Sequence, residues 1–356
     1  MKSDHYLECA PWNRRGWTLR EPVLSRRMIV YRNEQVYWVC REANSYEELY
    51  FENILRFVRM HAQALEPSIK RNFCNFYEIK DQPKKWVNYR QLVTRFTRRV
   101  FKYDDGAFDT FSAIFHGFAS IWGEVFLRGI ARSHFEEGLL WNTFTGQLRR
   151  EDLSTPSMTS KQVNAAFPSW SWVGWTGGTD IVIDENRSDG ELPEILCFVH
   201  AHEPSLSIVR ARNTKTPRTH GRNHQPVTLK DLEVNNPQLF VRLDSIPEDQ
   251  SIFFWTRSAK FHLGKNDGSL EFSVINANGK VIGSTGVSPG AADTEGPELE
   301  HEFIVLWSRR NEISRLVLLV LQIEWKDNIA YRVNFGEIFE EDWLEALYTS
   351  RLIPLG

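Results

Sequence analysis

Residues 167–178, FPSWSWVGWTGG, mark the point where the chain changes its hydrophobic period. From Pro168 to Trp175 aromatic residues alternate with small ones, the period of a β-strand that sets Trp170 and Trp172 on one face. Gly177 and Gly178 then break the run. Downstream, short β-prone runs recur at 195–199, 206–209, 239–241, 252–255, 270–275, 303–307, 316–325 and 330–333. Such spacing predicts an antiparallel sheet, either a sandwich or a partial barrel. Residues 212–225 and 284–298 read as long loops, and a helix over about 337–348 closes the chain.

Upstream of the tryptophan stretch the period is helical. Tyr46, Leu49, Tyr50, Ile54, Phe57, Val58 and Leu65 recur at spacings of three and four, with Ser45 as a cap. A second helix carries Trp86, Tyr89, Leu92, Val93, Phe96 and Val100. A third, over about 108–125, turns Phe111, Ile114, Phe115, Phe118 and Trp122 inward behind Asp104 or Asp105. Nearer the start, Asn13 caps a helix towards Glu21 that Pro22 should end. The runs at 28–31 and 36–40, joined by Arg32-Asn33-Glu34-Gln35, read as a hairpin. The fold class is therefore α+β, with a helical region over 41–165 and a Trp-rich strand plus β-rich domain over 166–356.

Composition narrows the function. A formal charge of −3 gives no electrostatic reason to expect nucleic acid or an anionic membrane surface. No apolar run is long enough to span a bilayer. The start, Met1-Lys2-Ser3-Asp4-His5, has no apolar leader, which argues for a cytoplasmic location. Cys9, Cys40, Cys74 and Cys197 form no paired spacing and read as structural thiols. The 13 Trp and 23 Phe predict a core of large, rigid contacts.

Motifs for chemistry are sparse. His200 and His202 share a strand face, and His220 and His224 are four apart, but neither pair has further donors at metal-site spacing. No metal is expected, and Gly174, Gly177 and Gly178 fit no phosphate-binding loop. Ser25 and Ser171 lack triad partners. The pairs Arg14-Arg15, Arg26-Arg27, Arg98-Arg99 and Arg149-Arg150 are discontinuous and read as solvated faces or internal ion pairs. Trp170, Trp172 and Trp175 would stack on a sugar or a base if exposed, but on a buried strand beside a helical wall such rings are more often core.

Three segments in order resemble the fungal heterokaryon-incompatibility family. Residues 14–21, RRGWTLRE, with Leu24-Ser25 and the hairpin ending Trp38-Val39-Cys40, resemble the last block of its domain, with Arg15 and Gly16 as motif residues. Arg98 to Tyr103 with Ala107-Phe108-Asp109 looks like its downstream helix. Trp141, Arg149-Arg150 and Pro168 to Trp175 are similar to its tryptophan block. The family's opening Ser-Tyr-x-Trp-Gly and Asp-x-x-Cys-Ile blocks are absent, so the chain resembles a C-terminal portion, with 1–40 a remnant of that domain.

The resemblance implies self/non-self recognition ending in programmed cell death, through a protein partner or self-association. It also implies a truncated fold distantly similar to the Toll/interleukin-receptor (TIR) domain, some members of which cleave NAD. There a glutamate stands four residues after a tryptophan, the spacing of Trp17 and Glu21, so Glu21 is the candidate catalytic carboxylate and Trp17 its supporting indole. Arg20, Pro22, Gly106 and Ala113 depart from the family pattern. A parallel sheet without its first strands would lack a ligand crevice. The expectation is a non-catalytic interaction or regulatory part with no cofactor. NAD enters only as the substrate of the alternative.

Overall fold

A computed structural model describes residues 11–32, 35–40, 44–46, 82–101, 105–143, 148–149, 167–181, 196–199, 207–210, 252–265, 271–286, 299–311, 313–326 and 328–356. The chain divides into two compact units, one of residues 1–129 with 178–180, the other of 130–177 with 181–356.

The first unit begins with α1 (Pro11–Arg14), a 3-10 turn (Trp17–Leu19) and α2 (Arg20–Leu24). This corrects the single helix expected up to Glu21. Pro22 lies in the first turn of α2, where the fixed φ of proline suits the helix. Strands β1 (Arg27–Arg32) and β2 (Gln35–Cys40) pair antiparallel as expected. Strand β3 (Asn44–Tyr46) adds to β2 where a helix had been expected to start. The rest of that helix, up to Leu65, lies outside the described residues. Only two residues separate β1 from β2, a link that admits an antiparallel pair and no other. The described part of 1–40 therefore supports no TIR-like remnant.

Helix α3 (Gln82–Thr97) and helix α4 (Asp105–Trp122) form the core of this unit, along the faces that the sequence period marks. Tyr89, Leu92, Val93 and Phe96 of α3 are buried, as are Phe111, Ile114 and Phe118 of α4. Phe96 meets Phe111 edge-on at 4.5 Å between centroids, the offset geometry that ring quadrupoles favour. Val100, expected on the same face as these residues, is beyond the helix and exposed.

In the second unit, α5 (Phe135–Leu139) precedes β4 (Trp141–Thr143), and β5 (Leu148–Arg149) pairs antiparallel with β6 (Trp175–Thr176). The main sheet has nine strands. They are β7 (Leu196–Val199), β8 (Ser207–Arg210), β9 (Ile252–Lys265), β10 (Glu271–Ile275), β11 (Val281–Gly286), β12 (Glu300–Arg310), β13 (Leu316–Lys326), β14 (Ile329–Phe339) and β15 (Thr349–Leu355). Six of these close a ring in the order β9-β10-β11-β14-β13-β12 and back to β9, with every pairing antiparallel. Closure removes free edges from those six strands. The length of β9 makes it possible. Its first half pairs with β15 and its second half with both β10 and β12.

The core alternates as a barrel requires. Ala259, Phe261, Val274, Phe303, Val305, Leu318, Val320 and Ile338 point into one cluster. Trp343, from the short helix α6 (Glu340–Glu345), is also part of it, 5.4 Å from Phe261 between ring centroids. The closing helix is thus six residues long, not the twelve expected, because residues 337–339 continue β14 opposite Val317–Leu319. Residues 281–286, partly assigned to a loop by sequence, form β11. A Cβ on Gly336 would stand 2.7 Å from the Ser284 carbonyl oxygen, so the close approach of β11 and β14 requires glycine.

Candidate functional site

The tryptophan block does not form the expected strand. The Pro168 carbonyl accepts a hydrogen bond from the Ser171 N–H at 3.0 Å, which curls the chain into a turn. Ser171 then caps a 3-10 helix over Trp172–Gly174, its Oγ accepting from the Val173 N–H at 3.2 Å. Strand geometry resumes only at Trp175. Alternation of aromatic and serine residues imitates a strand. Here it reflects a turn whose serines bond to backbone and whose rings are all packed.

Trp170 and Trp172 are fully buried, and Pro168 and Trp175 are buried with them. Their burial closes the sugar-stacking reading. Trp141 donates its Nε1–H to the Trp170 carbonyl at 2.9 Å, and Trp175 donates to the Ser169 carbonyl at 3.0 Å. The Trp141 and Trp175 rings lie 5.5 Å apart, and Trp170 lies 5.7 Å from Phe135. Trp141 and Trp175 thus contribute large apolar area while the one donor of each is satisfied.

At the centre stands Arg332 of β14, 2% exposed. Its guanidinium lies over the Trp141 ring, 3.4 Å from the centroid. Nη1 donates to the Leu139 carbonyl at 2.7 Å and Nη2 to the Trp141 carbonyl. The backbone N–H of Arg332 donates to Ser169 Oγ at 2.8 Å, and that hydroxyl donates in turn to the Gly356 oxygen. Nε has no partner among the described residues. Burial pushes the Arg332 pKa well down, because the guanidinium is withdrawn from water. A buried cation held by two carbonyls and an indole face is a joint: the guanidinium ties α5 and β4 to β14, and the backbone N–H of the same residue ties in the tryptophan turn.

In the first unit, Arg15 and Gly16 serve the same kind of purpose. The Gly16 N–H donates to the Val100 carbonyl at 3.0 Å, and the Val100 N–H to the Arg14 carbonyl at 2.8 Å. Gly16 is buried against Phe101, whose ring a Cβ would overlap. Nη1 of Arg99 reaches the Arg15 carbonyl at 2.9 Å and Thr18 Oγ1 at 2.8 Å. Desolvation and, second, Arg95 lower the Arg99 pKa to about 10.

Trp17 is 53% exposed, and Glu21 is exposed on the following turn. Neither side chain is enclosed, and Glu21 makes no ion pair among the described residues. Trp38 is exposed on β2, and Cys40 ends that strand. No group of three or more metal-ligating side chains occurs among the described residues, and no described helix is long and apolar enough to cross a membrane.

Sequence reasoning missed Ser169 and Arg332 as partners. The signal available was a lone arginine inside the apolar run at 330–333, a position where a charge persists only if its hydrogen bonds are met. Together these features define a mixed helix/strand chain with a C-terminal antiparallel barrel-like sheet, whose tryptophan block is a structural joint. No family model, curated protein or solved structure gives a significant match to it.

Proposed function

We propose that this chain is an interaction or regulatory part of a fungal heterokaryon-incompatibility protein. It acts in self/non-self recognition leading to programmed cell death, and it works through protein contact, not through chemistry on NAD. The observation that carries this reading is the outer face of the β1–β2 hairpin. Ile29 and Trp38 are direct cross-strand partners, and Tyr31 follows Ile29 on the same face. All three are exposed, Tyr31 at 77%. Large apolar side chains displayed together on one sheet face favour a protein contact. The candidate catalytic carboxylate, by contrast, stands on the surface of a five-residue helix. A glycosidic bond breaks with help from a dry, preorganised site, and Glu21 has none around it among the described residues.

The test is a charge placed on that face. Tyr31→Lys with Trp38→Lys should leave helix content and thermal midpoint unchanged, because both side chains are exposed. The same variant should abolish cell death when expressed in a filamentous fungus. Full killing by a folded double variant would remove the basis of the proposal.

A further inference from the structure

We infer that the chain self-associates head to tail, an arginine-rich aromatic surface on the first unit of one copy docking on an acidic apolar surface on the second unit of another. The inference rests on the hairpin face being a contact surface, and it names a second copy of this chain as the occupant.

Charge is divided unevenly between the two units. The first holds 21 Lys and Arg against 16 Asp and Glu, and the second holds 22 against 30. The small total charge thus conceals a basic unit and an acidic one, which attract each other between copies. On the first unit the basic excess stands beside the hairpin face. Arg27 alternates onto the same side of β1 as Ile29 and Tyr31, with Trp38 opposite Ile29. Arg14, Arg15 and Arg20 are exposed in the segment that leads into β1, alongside the exposed Trp12, Trp17 and Leu24. None of these four arginines makes an ion pair among the described residues. Arginines and large aromatic rings are the residues in which protein interfaces are enriched.

The second unit presents the complement at the end of α6. Leu344 and Tyr348 are exposed, and Leu347 is completely so. Glu345 stands between the two leucines in sequence, exposed and without an ion pair among the described residues. The other carboxylates of that helix are committed, Glu340 to Arg257, Glu341 to Arg315 and Asp342 to Lys280, while Trp343 is in the barrel core. An apolar surface with a free carboxylate matches an apolar surface with free guanidinium groups, the pair best suited to a two-pronged hydrogen bond. A nucleic acid would draw its affinity from a dense field of Lys and Arg. Here the cations are spaced among Leu24, Ile29 and Tyr31, side chains that pack against leucine.

Sedimentation of the whole chain over a range of protein and salt concentrations tests this. At low salt the mass should rise above that of one chain, and high salt should return it to monomer, because the screening length falls to about 3 Å at 1 M. Arg20→Glu with Arg27→Glu should weaken self-association by about tenfold, and so should Glu345→Arg. Every altered side chain is exposed, so thermal unfolding of both variants should match that of the natural chain. Mixed together, the two variants should associate again, since the reversed surfaces now complement each other. A chain that stays monomeric at low salt overturns the inference, as does a mass that neither variant changes or a mixture that fails to associate. Oligouridylate bound by the monomer in place of a second copy overturns it too. The readout is mass in solution, so failure here is distinct from failure of the hairpin reading, which the killing assay judges.

Discussion

Replacing Arg332 with methionine keeps an unbranched apolar stem and removes the cation that ties α5 and β4 to β14. Two carbonyls, of Leu139 and Trp141, lose their charged donors. Hydrogen bonds to charged groups contribute about 1.5–3 kcal/mol each, so this loss alone is roughly 3–6 kcal/mol. A desolvated cation over an indole adds about 2 kcal/mol. Opposing these is the relief of burying a charge without a counter-ion, worth several kcal/mol. The net expectation is destabilisation by about 3 kcal/mol, a large part of the roughly 5–15 kcal/mol that holds a typical domain. Arg332→Lys should recover about half of that, since an ammonium reaches one carbonyl well but neither forks nor stacks. Urea unfolding followed by tryptophan fluorescence measures both. The reasoning is refuted if Arg332→Met is as stable as the natural chain within about 0.5 kcal/mol, because relief of desolvation would then outweigh the joint.

Further tests follow from the same geometry. Ser169→Ala leaves the buried Arg332 N–H without its 2.8 Å acceptor, and unfolding should show a loss of about 1–3 kcal/mol. Gly336→Ala forces a Cβ against the Ser284 carbonyl and should cost about 1–3 kcal/mol, with the barrel core reporting the change by NMR. Thr18→Val removes one of the two acceptors of Arg99 Nη1, and should lower stability by about 1–2 kcal/mol while sparing the barrel signals.

Much of this architecture could be read from sequence because apolar period survives wherever one face is buried. Helices α3 and α4 show it, and so do the cores of β12, β13 and β14. What failed were elements set by distant partners. Strand β11 is rich in Gly, Ser and Thr, as a loop would be, and becomes a strand by pairing with β10 and β14. Residues 337–339 have helical neighbours in sequence, yet the ladder opposite Val317 wins. Within the tryptophan block, the rings are core as their setting suggested, but the expected strand is a turn and a 3-10 helix, held where Trp141 and Trp175 donate to backbone carbonyls. The Arg332 joint draws on residues near 140, 169, 332 and 356, and no local pattern connects four such segments.

The central claim, that the chain acts through contact and not through chemistry at Glu21, is tested most directly by cellular NAD. Induced expression in a filamentous fungus, beside a Glu21→Ala control at equal level, should leave NAD steady in both strains while cell death proceeds. A fall in NAD that depends on Glu21 would contradict the account and make this exposed carboxylate catalytic.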